Sequence, residues 1–269
     1  MADDKQLGFL GFGNMGLAIV HGLIARATMG PEHMTVFDVD ASRRAEAEGL
    51  GMKSVASTEA LGQACDVLLV AVKPQNAAEA LKPLAGILEP RVLVISICAG
   101  LSTAFFREQL GGDFRVIRVM PNTPALVGAG AAALAVSDNC SPDDLELATG
   151  IFESVGLVQV VPESAMDAVT ALSGSGPAYF FYMTECLVRA AQEEGLTAEQ
   201  AAELAKQTLL GAGRLLAESG EAAAVLRERV TSKGGTTEAA LRTFMDRGFE
   251  ETIRAGVAAA AARSRELGR

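Results

Sequence analysis

Disulfide and metal-ligand spacings are both missing from this 269-residue chain. Its four cysteines, Cys65, Cys98, Cys140 and Cys186, fall in four different segments, and His21 and His33 are the only imidazoles. No pair is spaced Cys-x-x-Cys, so the expectation is reduced thiols in a cytoplasmic protein and no bound metal. A cationic excess is missing too. The formal net charge of −10 argues against a nucleic-acid partner and leaves anions to aimed backbone N–H groups and a few placed cations. Nowhere do eighteen apolar residues run unbroken, and the alanine-rich stretch 255–262 is too short to span a bilayer. The start, Met1-Ala2-Asp3-Asp4-Lys5, is acidic at once and lacks a basic leader, so neither secretion nor a membrane partner is expected.

What is present is a soluble globular composition, 49% hydrophobic and 21% charged, long enough for two domains whose cores need no disulfide or metal. Strands and helices alternate first. Leu7–Leu10, Met34–Phe37, 67–72, 92–97 and Val116–Met120 read as short apolar strands. With helices between them they predict a mostly parallel sheet covered on both faces, extended by β segments at Gly130–Val136 and 158–161. After Pro162 the β-branched runs vanish and alanine-rich helices take over. Ser164 with Asp167, and Thr197 with Gln200, read as capping boxes, while Gly195 and Gly220 read as helix stops. Ser173-Gly174-Ser175-Gly176 interrupts a helix that Pro177 can restart.

A glycine fingerprint, Gly11-Phe12-Gly13-Asn14-Met15-Gly16, follows the first strand, opens a helix and is answered by Asp38 at the end of the next strand. Gly11 permits the tight turn, Gly13 lets a pyrophosphate approach, and Gly16 lets helix and strand pack closely. The expected plan is α/β: a Rossmann-type dinucleotide-binding domain over 1–162, then an all-helical domain over 163–269. The Asp38 carboxylate can accept both ribose hydroxyls and repels a 2′-phosphate, which favours NADH. Arg43 and Arg44 follow closely enough to keep NADPH open. Ligands of open parallel sheets gather at the carboxyl ends of the strands, so Ala71-Val72-Lys73-Pro74-Gln75 and Met120-Pro121-Asn122-Thr123-Pro124 should border the coenzyme. Lys73 is a candidate for its ribose or phosphate, or else a solvated loop lysine. Asn122 is a candidate for orienting the nicotinamide ribose or the substrate, or else a turn former.

Near the other end, Thr231-Ser232-Lys233-Gly234-Gly235-Thr236-Thr237-Glu238 sets two glycines and two threonine hydroxyls where a helix should start. The unpaired N–H groups and positive dipole end of such a start attract an anion without a lysine or arginine. An ordinary capped turn is the plainer reading of Gly-Gly-Thr alone. Together with the nucleotide fingerprint, the stretch suggests a reductase of a small carboxylated substrate.

These segments, with Arg118-Val119-Met120-Pro121-Asn122-Thr123-Pro124-Ala125, Ser173-Gly174-Ser175-Gly176-Pro177-Ala178-Tyr179 and 230–241, resemble pyrroline-5-carboxylate reductase over nearly the whole chain. The resemblance implies reduction of 1-pyrroline-5-carboxylate to L-proline by NADH or NADPH, the last step of proline biosynthesis. It implies interlocked homodimers, some assembled into decamers, in which the helical domain's loop meets the partner's coenzyme domain. Backbone N–H groups at Gly234, Gly235, Thr236 and Thr237 would hold the substrate carboxylate. The Thr237 hydroxyl would bond the ring nitrogen, with Ser232 nearby. Coenzyme contacts would fall on Gly11, Phe12, Gly13, Asn14, Met15, Gly16, Asp38, Thr58, Ala71, Val72, Lys73, Pro74 and Asn122. The chain departs from the family's pattern at three places. Lys233 stands where proline is usual, and Asp38-Val39 replaces an Asn-Arg pair associated with NADPH. Ser57 or Thr58 takes the place of an asparagine that contacts adenosine.

Reduction of a cyclic imine needs hydride at carbon and a nitrogen that carries its own proton, so positioning matters more than a protein acid. His21 and His33 accordingly read as structural. Neither Tyr179 nor Tyr182 has the lysine four residues on that short-chain dehydrogenases use. The β-hydroxyacid dehydrogenases share a glycine-rich start but use a helix lysine, and none follows Pro177 until Lys206. A reductase of a related cyclic imine carboxylate and a non-catalytic dinucleotide sensor are the alternative readings.

Overall fold

The computed structural model describes residues 5–268; the acidic start read from residues 1–4 lies outside them. Two compact units form: one runs to Ser175 and takes the chain back from Ala260, and the other is Gly176–Ala259.

In chain order the first unit carries β1 (Leu7–Leu10), α1 (Asn14–Ala25), β2 (Met34–Phe37), α2 (Ala41–Gly49), β3 (Lys53–Ser54), α3 (Thr58–Ala64) and β4 (Val67–Val70). It continues with α4 (Ala77–Leu81), β5 (Leu93–Ser96), α5 (Thr103–Leu110), β6 (Val116–Met120), β7 (Gly130–Val136), α6 (Pro142–Glu153), β8 (Gly156–Val160) and α7 (Met166–Val169). The strands form one sheet in the order β3-β2-β1-β4-β5-β6-β7-β8, parallel throughout except where β7 meets β6. Alternate side chains serve opposite faces. Phe9, Leu69, Ile95 and Ile117 pack with Ile19, Leu23 and Phe152 on one side. Leu10, Leu68, Val70 and Val94 pack with Leu61, Leu81 and Phe106 on the other. This two-sided burial is why the strands read as continuous apolar runs rather than as alternating ones. Two strands are shorter than expected because the backbone leaves the ladder after Val70 and Ser96, where the loops open.

One expectation fails here for a tertiary reason. Ser164 and Asp167 form no capping box. Pro162 leads into a 3-10 turn, Glu163–Ala165, and Ala165 precedes α7 without any side-chain cap. Asp167 instead accepts a hydrogen bond from Ser264 Oγ at 2.6 Å, a partner brought back by the far end of the chain. The expected interruption at Ser173-Gly174-Ser175-Gly176 does form, with a bend at Ser175. Thr170–Gly174 winds as a π-helical turn that leads toward α8 (Gly176–Glu193), with Pro177 in its first turn. Although the sequence changes character at Pro162, Met166 is fully buried against Ala133 and Ala135, so α7 packs on the sheet.

The second unit contains α8, α9 (Ala198–Ser219), α10 (Ala223–Arg229), α11 (Thr236–Asp246) and the start of α12 (Phe249–Leu267), whose end belongs to the first unit. The Thr197–Gln200 capping box forms in both directions, and Gly220, at φ +68°, closes α9. Among the described residues of this unit only Gly176 and Ala201 are buried. Phe180, Phe181, Tyr182, Leu210, Leu215 and Phe244 all stand exposed.

One buried cation sits in the first unit. Arg118, on an otherwise apolar strand, is 6% exposed and places Nη1 3.7 Å from Glu163 Oε1. Burial lowers the guanidinium's pKa, while Glu163 and Asp167 pull it back up. Glu163 also accepts from Thr103 N and Thr103 Oγ1, both at 2.7 Å. Glu163→Ala therefore strands a buried charge and two donors, and should cost about 2–4 kcal/mol in urea unfolding. A loss below about 0.5 kcal/mol, the range of an ordinary surface change, would show that this pair carries no stability.

Candidate active site

The fingerprint turn is built from opposite demands on its glycines. Gly11 has φ +91°, and a Cβ there would lie 2.9–3.0 Å from Val72 and Ala71. Gly13 is the reverse case: a Cβ would meet nothing within 4 Å and would stand in the open cleft beside it. No side chain caps α1 and no acid occupies its first turn, so its leading N–H groups are left to an anion. This cradle fits a dinucleotide pyrophosphate.

Two clefts open at the carboxyl ends of the strands. One, of about 440 Å³, is lined by Gly11, Phe37, Asp38, Thr58, Asn76 and Glu79 among others. Phe12 N donates to Asp38 Oδ2 at 2.7 Å and Asp40 N donates to Oδ1 at 2.9 Å, so the carboxylate is held in place by backbone donors. No lysine or arginine is among the lining residues. Arg44 turns back to donate to the Asp38 carbonyl, and Arg43 pairs with Glu46 at 2.8 Å. Ser57 and Thr58 divide the position between them. Ser57 Oγ accepts from Ala60 N and caps α3, while Thr58 is buried and faces the cleft.

The second cleft, of about 460 Å³, is lined by Gly13, Asn14, Met15, Arg43, Ala71, Val72, Lys73, Ile97, Met120 and Pro121. Pro74 lines neither cleft and begins a 3-10 turn, Pro74–Asn76. Asn122 also lines neither. Its Oδ1 accepts from Ala131 N at 2.8 Å and its Nδ2 donates to the Ser173 carbonyl at 3.0 Å, so the amide braces the loop after β6 from both ends.

In the second unit the 231–238 stretch is a turn into α11. Gly234 takes φ +75°, which favours glycine, and a Cβ on Gly235 would lie 2.5 Å from Ser232 Oγ. Gly234 is demanded by its backbone conformation, whereas a side chain at Gly235 would first have to turn the exposed Ser232 hydroxyl aside. The N-cap Gly235 has no side chain to cap α11, and Thr236 and Thr237 occupy its first two positions, Thr236 exposed and Thr237 half-buried. Gly235 N donates to the Ser232 carbonyl at 3.0 Å, and Gly234 N donates to Glu238 Oε2 at 2.6 Å. Of the four backbone donors from 234 to 237, those of Thr236 and Thr237 are left for a ligand.

Known proteins match both parts of the chain. Residues 163–267 match the family model described as pyrroline-5-carboxylate reductase dimerisation, and residues 6–100 match that described as NADP oxidoreductase, coenzyme F420-dependent. The chain is 44% identical to a pyrroline-5-carboxylate reductase of Synechocystis, covering 98% of each chain. The chain belongs to the pyrroline-5-carboxylate reductase family. A pyrroline-5-carboxylate reductase structure from Coxiella burnetii superposes with a TM-score of 0.92 at 36% identity, covering 98% of this chain and 99% of that one. A pyrroline carboxylate reductase of Plasmodium falciparum with NADP bound gives 0.87 at 31% identity, covering 99% of both.

Set against this reductase's fold, four expected contacts, Phe12, Gly16, Pro74 and Asn122, line neither cleft, and a few lining residues were missed. Phe12 lies inside the fingerprint, yet its side chain is 0% exposed and packs edge-on against Phe9, with centroids 6.0 Å apart. Its N–H is already donated to Asp38, so Phe12 serves the core and the strand end rather than the cleft. Asn76, Glu79 and Ala80 were overlooked in the first cleft and Ile97 in the second. The signal for the first three was their i, i+3, i+4 spacing after Lys73-Pro74, which puts them on one face of a helical turn. Gly13→Val should leave unfolding unchanged, because nothing is displaced, yet raise the KM for coenzyme about tenfold or more by blocking the pyrophosphate's approach. Equal KM values would dissociate Gly13 from coenzyme binding.

Proposed function

We propose that this protein reduces 1-pyrroline-5-carboxylate to L-proline with NADH or NADPH, as a cytoplasmic homodimer. The observation that carries the substrate side is the start of α11, where Gly234 turns the chain at positive φ, the N-cap Gly235 offers no side chain and two threonine hydroxyls flank the free donors. The nicotinamide, when bound, supplies the hydride. The chain's residues bind and orient: the Thr236 and Thr237 N–H groups hold the substrate carboxylate, and the Thr237 hydroxyl bonds the ring nitrogen and holds its proton in place, with Ser232 beside it. Asn14, Met15 and Lys73 border the pyrophosphate, Asp38 and Thr58 the adenosine ribose, and Ala71 and Val72 the cleft wall. Asn122 keeps the loop after β6 in register.

Dimerisation rests on burial. Helices that bury two residues and expose rows of phenylalanine and leucine lack a core of their own, and a second copy of the same surface supplies one. The match to a dimerisation family over 163–267 supports assembly through the helical part. Light scattering at assay concentration separates dimer from decamer. Among the described residues no helix is long and apolar enough to cross a membrane. Four scattered free thiols fit a reducing compartment, and the net charge of −10 disfavours nucleic acid.

Thr237→Ala should slow turnover tenfold or more, a loss of about 1.4 kcal/mol or greater in transition-state stabilisation, read from initial rates with pyrroline-5-carboxylate. Unchanged kcat would remove the hydroxyl from the mechanism. Coenzyme choice follows from the first cleft, where Asp38 and Glu79 face a ribose with no cation opposite. NADH should be preferred, and Asp38→Asn should shift the ratio of kcat/KM values toward NADPH. A ratio that does not move would place the selectivity elsewhere.

A further inference from the structure

Glu238 reaches one residue further back than its position in the helix requires. It stands at the third position of α11, from which an acid ordinarily reaches back to the N-cap N–H, here that of Gly235, which is committed to the Ser232 carbonyl. Its carboxylate instead folds back over the turn, and Gly234 N donates to its Oε2 at 2.6 Å. The contact is exposed and charge-assisted, and its acceptor is the same chemical group that the substrate presents.

We propose that Glu238 is an internal competitor for the carboxylate loop, occupying its entrance donor until the substrate's carboxylate displaces it. This rests on the reading of Gly234 to Thr237 as the substrate loop. Two features of the turn make the contact an exchange rather than a fixed cap. The Gly234 donor is the outermost of the four, ahead of the helix itself, whereas the Gly235 donor is committed to the Ser232 carbonyl. The first-turn donors of Thr236 and Thr237 lie within a few residues of Glu238, so a bound carboxylate and the Glu238 carboxylate repel each other at one helix end. Substrate then binds the fraction of molecules whose Glu238 has swung away, and its apparent constant is raised by the inverse of that fraction. If three molecules in four are self-occupied, the rise is about fourfold. Glu238 thus tunes affinity for the anionic substrate without touching the reacting carbon.

The test compares wild type, Glu238→Gln and Glu238→Ala, with unfolding midpoints and coenzyme KM as controls. Initial rates with pyrroline-5-carboxylate are measured beside inhibition by cyclopentanecarboxylate, a ring acid that has the carboxylate and no nitrogen. Both variants should lower the substrate KM and the inhibition constant about threefold or more, with the change carried by KM rather than kcat. If Glu238 only shapes the turn, Glu238→Ala raises KM while Glu238→Gln, whose amide oxygen still accepts from Gly234 N, leaves it unchanged; that pattern overturns the proposal. Unmoved or raised constants in both variants overturn it equally. A wild-type protein that does not reduce pyrroline-5-carboxylate would instead overturn the functional reading beneath it.

Discussion

Parallel strands that run in register must all stop at the same edge of their sheet. In this protein β1, β2, β4, β5 and β6 are parallel, both faces of the sheet are covered, and the strands' side chains are committed to two cores. Chemistry is left to the loops at the carboxyl edge, where the glycine turn, Asp38, Ala71 to Lys73 and Met120 to Pro121 come together. The bond from Phe12 N to Asp38 Oδ2 joins two of those strand ends directly and aims the carboxylate. Phe12 can do this because its ring is anchored beneath the turn against Phe9. The aiming of a cleft carboxylate and core packing thus meet in adjacent atoms of one residue pair.

The helical unit obeys a different constraint. Its helices have sound local signals, including a complete capping box at Thr197 and Gln200, but a pair of long helices such as α8 and α9 leaves much of its apolar surface in water. Exposed Phe181 and Leu210 are tolerable only if a second surface covers them, so assembly and foldability are linked in this part of the chain. The π-helical turn Thr170–Gly174 lies just before it, braced by the Asn122 amide through the Ser173 carbonyl. A loop residue of the sheet unit is therefore fastened to the last irregular turn before the helices begin.

Legibility followed the range of each interaction. The glycines of the fingerprint and of the 231–238 turn were readable because a tight turn, a positive φ or an open approach is demanded by the backbone nearby. Strand positions were readable because two-sided burial needs uninterrupted apolar runs. Ser164 and Asp167 looked equally local and were not: Asp167 answers Ser264, 97 residues away. Ser57 and Thr58 could not be told apart in sequence, since either hydroxyl can cap a helix; only the direction of the neighbouring cleft separates them. Arg118 read as one more member of a strand, and its carboxylate partner came from beyond Pro162.

The sequence by itself determined the alternation of strands and helices, the anion-ready starts of two helices and the family, because each is a matter of local backbone geometry or of motifs in order. Tertiary structure alone decided which side chains those backbones expose: Phe12 turned into the core, Asn122 held at both ends, Asn76 and Glu79 turned toward the Asp38 cleft, and Glu238 folded back onto Gly234. Side-chain direction depends on what lies opposite, and what lies opposite is set by residues far away in the chain.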